Sequence, residues 1–187
     1  MAKVAKNLIL HGASGKIGDQ IVIRQRGGKV ILSQAPGERE GEPSEAQKTQ
    51  RAKFQQAIIY GKTQMTDAEA KAGYEAKASG MRTAFNVAVA DFLHAPDVDE
   101  IDVSGYKGAV GDPIRVRVTD DFKVVQVQLT ISNADGTLVE QGNAVQQANE
   151  VDWVYTATAI NENTTGDRIV VKASDKPGNI VAEEQTL

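Results

Sequence analysis

The sequence predicts an α+β protein: an N-terminal strand, a β-hairpin and short helices over residues 1–95, followed by an antiparallel β-sandwich over 96–187. Three observations predict it. Two β-branched runs flank a Gly-Gly pair near the N-terminus. Apolar residues then recur at three- and four-residue steps up to His94. From Asp97 the period changes to two, with turn residues between the alternating runs.

Composition sets the outer bounds. The chain has 187 residues, 41% of them hydrophobic and 25% charged, which suits a soluble globular protein with a real core. It has no cysteine, so a disulfide framework and a thiolate metal site are both excluded. The N-terminal apolar run before His11 is too short for a secretory signal or a membrane span, so neither is expected. The compartment stays open, a surface, extracellular or virion-like assembly included.

The first element is the stretch LILHGASGKIGDQIV, residues 8–22, which reads as a strand, a glycine turn and the first arm of a hairpin. Residues Ile21–Gln25 and Val30–Gln34 are the two arms, and Gly27-Gly28 supplies the positive φ values of a tight reversal. APGEREGEP, from Ala35 to Pro43, reads as an exposed connector. Ser44-Glu45-Ala46-Gln47 has the form of a capping box and opens a helix whose stripe holds Ala46, Phe54, Ala57, Ile58 and Tyr60, ending near Gly61. Thr66-Asp67-Ala68-Glu69 repeats the box and opens an alanine-rich helix to about Ala78. A third helix runs from Met81 to His94, stopped by Pro96. Their thin apolar faces call for a partner, be it the hairpin, the other domain or another copy.

The strands after Asp97 are read from alternation. Ile114, Val116 and Val118 form one inward row. Val125, Val127, Leu129 and Ile131 form a second; Trp153, Tyr155 and Ala157 a third; Ile169, Val171 and Ala173 a fourth. Gly111-Asp112-Pro113, Asn133-Ala134-Asp135-Gly136, Asn161-Glu162-Asn163 and Lys176-Pro177-Gly178-Asn179 are the turns. About seven such strands describe an antiparallel sandwich of immunoglobulin type.

Trp153-Val154-Tyr155-Thr156-Ala157, together with Ala173-Ser174-Asp175-Lys176-Pro177-Gly178-Asn179, resembles bacterial immunoglobulin-like (Ig-like) modules of surface and assembly proteins, many of which close on A-x-D-x-x-G-N. The first half is similar to uncharacterised Bacteroidota proteins in which a glycine-rich hairpin precedes a P-[ST]-E-x-Q helix start. The matching residues are Gly15, Gly18, Gly27, Lys29, Pro36, Pro43, Ser44, Glu45 and Gln47. That resemblance implies no activity.

Context decides what each chemical motif can do. Gly12, Gly15 and Gly18 are spaced as in a dinucleotide-binding turn, which needs a helix N-terminus directed at the pyrophosphate. After Gly18 the run Ile21-Val22-Ile23 is β-branched, and Gln25 and Arg26 fall where a second helical turn needs apolar residues. Tyr74-Glu75-Ala76-Lys77-Ala78 misses the Y-x-x-x-K pair of the short-chain reductases by one position, and GKI fails the phosphate-loop pattern. No cofactor is therefore expected. His11, Ser14 and His94 do not assemble an oriented nucleophile and base, so an enzyme is not expected either. Asp97, Asp99, Glu100 and Asp102, or Asp120, Asp121 and Asp175, can offer oxygens to calcium, although acids at strand ends are commonly solvated and neither set forms a recognised loop. Lys16, Arg24, Arg26 and Lys29 suit phosphates, yet the first fifty residues hold no aromatic side chain to stack on bases, so nucleic acid is not an expected partner.

Charge is divided along the chain. Residues 1–34 carry six Lys or Arg against one acid, whereas residues 96–187 carry seven against sixteen. The expectation is a non-enzymatic structural protein that assembles with copies of itself into a filament, tube or particle. The basic strand and hairpin of one subunit would dock on the acidic sandwich of a neighbour. Expected interface residues are Leu8, Leu10, Ile21, Ile23, Arg24, Arg26, Lys29, Val30 and Leu32. An Ig-like binding or adhesion module is the alternative; an NAD(P)-binding oxidoreductase is a third reading that rests on GASGKIG alone.

Overall fold

A computed structural model describes residues 2–4 as backbone, together with 12–37 and 41–187. Among these residues the chain has three helices and twelve strands in three antiparallel sheets, an α+β architecture with a sandwich in its C-terminal half. It divides into compact units at 1–48 and 49–187, whereas the change of periodicity falls near 95.

The first unit is a four-stranded sheet in the order β1-β4-β3-β2, with β1 Ala2–Val4, β2 Gly15–Ile17, β3 Ile21–Arg26 and β4 Lys29–Gln34. The expected hairpin is β3–β4. Arg26 faces Lys29 across Gly27 and Gly28, whose φ values of 57° and 69° match the twist-compatible two-residue turn. Strand β2 corrects the reading of Gly15 as part of a turn: Gly15 pairs with Ile23 and Ile17 with Ile21. The strand expected around Leu8 and Leu10 lies outside the described residues.

Cross-strand register gives this sheet two unlike faces. Ile17, Ile21, Ile23, Val30 and Leu32 share one, because paired residues point the same way and the side-chain period is two. Lys16, Arg24, Arg26 and Lys29 share the other with Val22 and Ile31.

Helix α1 Glu45–Thr66, which enters the second unit after its first turn, forms a helical layer there with α2 Ala68–Lys77 and α3 Ala84–Leu93. The capping box at Ser44 is reciprocal: Gln47 N–H donates to Ser44 Oγ at 3.3 Å and Ser44 N–H to Gln47 Oε1 at 3.2 Å. Gly61 does not end α1. It is buried within the helix, where an added Cβ would lie 2.9 Å from Phe85 Cε2 and from Val89 Cγ2, so it permits close approach to α3. The α2 cap is Asp67, one residue later than expected, with Oδ1 accepting from Glu69 and Ala70 N–H. Helix α3 starts at Ala84, behind the Thr83 cap, which leaves Met81 outside it and 58% exposed. Tyr74, Ala84, Val87 and Ala88 are the buried centre of this layer, packed against Tyr60, Met65, Ala78 and Phe122. No helix among the described residues is long and apolar enough to cross a membrane.

The sandwich has one sheet in the order β5-β6-β10-β9 and a second in the order β12-β11-β7-β8. The strands are β5 Asp97–Asp102, β6 Pro113–Thr119, β7 Val124–Ser132, β8 Leu138–Asn143, β9 Val145–Gln146, β10 Asp152–Thr156, β11 Arg168–Asp175 and β12 Ile180–Thr186. Three of the expected inward rows face the core intact: Ile114, Val116 and Val118; Trp153, Tyr155 and Ala157; Ile169, Val171 and Ala173. The row on β7 is broken. A bulge makes Asp175 pair with Val124 while Ser174 pairs with Gln126, so Val125 is extra and 55% exposed and Val124 turns inward.

Candidate functional site

The helical layer meets the sandwich at a group of three carboxylates. Asp91 sits on α3 seven residues after Ala84 and four after Val87, on the face that helical periodicity turns inward. It is 0% exposed. Asp120 follows β6 in the β6–β7 loop, and Asp175 ends β11. One carboxylate oxygen of each lies within 4.8 Å of one from each of the others.

Local chemistry holds each acid in place. Tyr74 Oη, itself 2.8 Å from Tyr60 Oη, donates to Asp91 Oδ2 at 2.5 Å. Asp120 Oδ2 accepts from Phe122 N–H at 3.1 Å and Lys123 N–H at 2.8 Å, forming a turn of the Asx type. Asp175 Oδ1 accepts from Gly178 and Asn179 N–H at 2.8 and 2.6 Å. Asn179 Nδ2 lies 3.0–3.3 Å from the carbonyl oxygens of Asp91, Phe92 and His94, and so secures the C-terminal end of α3. The D-x-x-G-N close thus makes a turn and ties it to a helix.

Two oxygens are left over. Asp91 Oδ1 and Asp120 Oδ1 are buried without a hydrogen-bond partner. Burial, with the charges of Asp120 and Asp175 adding to it, pushes the Asp91 carboxyl up to about 7 despite the hydrogen bond from Tyr74. Burial also raises Asp175, against the pull of its bonds from Asn179 and Gly178. Burial raises Tyr60 to about 12 and lifts Tyr74 well above the ordinary phenol value, the latter helped by its bonds to Asp91 and Tyr60. Lys176 acts on Asp91 through its charge, and its Nζ lies 5.1 Å from the Tyr74 ring centroid and 5.4 Å from that of Phe122. Among the described residues Lys176 makes no ion pair with the three acids.

The expected acidic sets are corrected accordingly. Asp120 and Asp175 do come together, but Asp121 turns instead to His94 Nδ1, at 2.5 Å, and its place is taken by Asp91. An acid inside the Ala84, Val87, Ala88 stripe was the available sequence signal. The set on β5 disperses: Asp99 accepts from Thr119 Oγ1, Glu100 approaches Arg117 at 3.7 Å, and Asp102 accepts from Ser104 N–H.

The expected assembly residues fall into four groups. Ile21, Val30 and Leu32 lie on the apolar face of the first unit, with Ile21 41% exposed. Arg24, Arg26 and Lys29 lie on the basic face and are exposed. Ile23 is only 4% exposed, already covered, so it anchors the sheet rather than presenting a surface. Leu8 and Leu10, like His11, lie outside the described residues. After the glycine motif the chain enters strand β3, where a dinucleotide-binding turn continues into a helix.

Comparison with known proteins adds little to this geometry. No protein-family model matches the sequence. No curated protein matches it. Among solved structures the chain is similar to CopC from Methylosinus trichosporium OB3b, at 17% identity and a TM-score of 0.36, over 49% of this chain and 88% of that one. It is also similar to an engineered protein at 22% identity and a TM-score of 0.32, over 48% of this chain and 19% of that one.

Proposed function

We propose that the chain is a non-enzymatic structural subunit that associates with copies of itself, its sandwich serving as an Ig-like body and its N-terminal sheet as the connecting arm. The observation that carries the reading is the two-faced sheet of residues 1–48. One face sets Lys16, Arg24, Arg26 and Lys29 side by side, and the other leaves Ile17 59% exposed and Ile21 41% exposed. A sheet with a basic face and uncovered aliphatic side chains gains by docking on a surface of opposite charge.

The sandwich offers such a surface. Edge strands β5 and β12 approach one another, and they carry Asp97, Asp99, Glu100 and Asp102 on one and Glu183 and Glu184 on the other. Arg117 and Arg168 offset Glu100 and Glu184 only in part, at 3.7 and 3.8 Å on exposed side chains. Docking a basic face of one copy on this flank of the next is head-to-tail, and such contacts propagate when they do not close into a ring.

Sedimentation of the full chain over a range of concentration and salt tests the reading. Oligomers that dissociate as salt shortens the screening length are expected. Reversing Lys16, Arg24, Arg26 and Lys29 to Glu together, or deleting residues 1–34, is expected to give monomers that keep the circular dichroism of the sandwich. A sharp monomer at high concentration, unchanged by salt, overturns the proposal; so do polymers that survive the deletion.

A further inference from the structure

We propose that Asp91, Asp120 and Asp175 form a binding site for one hard divalent cation of the calcium class, which ties α3 to the β6–β7 loop and the β11–β12 turn. Three acids in proximity would not be enough. What points to a ligand is that Asp91 is wholly buried while its Oδ1 has no donor, and that Oδ1 of Asp120, a second acid of the group, is buried and unpartnered too. Buried polar atoms are almost always satisfied, so two leftover carboxylate oxygens within one group of three acids mark a place for a proton or a cation.

Geometry and donor chemistry select the class. Oxygens within 4.8 Å of one another can all touch a central ion whose bonds to oxygen are about 2.3–2.6 Å long. The donors are all carboxylate oxygens, the ligands that hard cations prefer and softer thiolate- or imidazole-seeking metals do not. The hydrogen bonds already made by Tyr74, Phe122, Lys123, Gly178 and Asn179 fix the orientation of the three side chains, as outer partners do around metal ligands. Asp120 also lines an open surface cleft with His94, Ala95, Asp97, Thr119 and Asp121, so one of the three acids borders solvent.

Two cationic or proton-carrying competitors face the group. Lys176 is held over the Tyr74 and Phe122 rings, and a proton can occupy one of the carboxyls. A divalent cation offsets two of the three negative charges and can be coordinated by both leftover oxygens, which neither competitor does.

The test uses the full chain freed of metal by chelator, titrated with calcium or magnesium chloride and followed by calorimetry and thermal unfolding. Terbium serves as an optical probe, excited through Tyr74 and Tyr60. Saturable binding of one ion per chain is expected, with a rise in Tm that tracks ion concentration. Asp91→Asn keeps the side-chain shape and removes one of three like charges, so it is expected to fold while weakening binding on the order of tenfold or more. Asp121→Asn, next in sequence to a ligand but turned to His94, is expected to bind as the parent does. No saturable heat and no Tm shift up to millimolar ion, or equal binding by Asp91→Asn and the parent, overturns the proposal.

Discussion

Glu140 on β8 is a buried carboxylate held through Oε2 by three neutral donors, and its removal tests how the sandwich edge is held. Its side chain is 8% exposed, and Oε2 accepts from Tyr155 Oη at 2.7 Å, Thr158 N–H at 2.8 Å and Thr158 Oγ1 at 2.7 Å. Glu140→Ala leaves those donors without their acceptor. The Thr158 hydroxyl can rotate to another partner, but the Tyr155 hydroxyl and the Thr158 amide cannot both be rescued. At about 1–3 kcal/mol for each of these two orphaned buried donors, the expected loss is about 2–6 kcal/mol. Glu140→Gln keeps a carbonyl acceptor and gives up only charge assistance, so about 1 kcal/mol is expected.

Urea unfolding followed by Trp153 fluorescence reads the difference as a lowered midpoint at unchanged slope. The pH dependence has a definite sign. Burial pushes the Glu140 carboxyl up, but the bonds from Thr158 N–H, Thr158 Oγ1 and Tyr155 outweigh it and hold the group below its ordinary 4.5. The stabilisation is therefore complete above 4.5 and is lost as pH falls through the lower folded value, so the gap between parent and Glu140→Ala narrows in acid. An Ala variant within about 0.5 kcal/mol of the parent at neutral pH, or a gap that widens on acidification, refutes the reasoning.

Two further outcomes follow from single contacts. Asn179→Ala removes the amide that reaches the α3 carbonyls and Asp175 Oδ2, so a loss of about 1–2 kcal/mol is expected, with faster amide exchange confined to the last turn of α3 and the β11–β12 turn. Gly108→Ala places a Cβ against the Asn161 carbonyl oxygen at a φ of +89°, so a loss of about 3 kcal/mol or more is expected by chemical denaturation.

Much of the architecture was legible because it rests on local rules. Alternation placed Ile114, Val116 and Val118, and likewise Ile169, Val171 and Ala173, on inward faces, since a strand's side chains alternate wherever they occur. Ser44 and Gln47 announced a helix start through atoms three residues apart. The glycine pair at 27–28 announced a reversal that only positive φ permits. Where local rules failed, a distant neighbour had intervened. Gly61 reads as a stop until Phe85 and Val89 are seen against it, and the β7 bulge depends on how β11 pairs.

The carboxylate group shows the same division between chain and fold. Asp175 and Asn179 belong to a recognisable turn, and Asp91 stands out as an acid in an apolar stripe. Nothing in their spacing brings positions 91, 120 and 175 together, because the side-chain period of a helix or strand carries no information about which elements pack. By itself, then, the sequence determined most of the elements, three of the four inward rows and the uneven charge. The tertiary structure decided that helix α3 docks beside two sandwich loops, and burial there turned three ordinary aspartates into a group with unsatisfied oxygens.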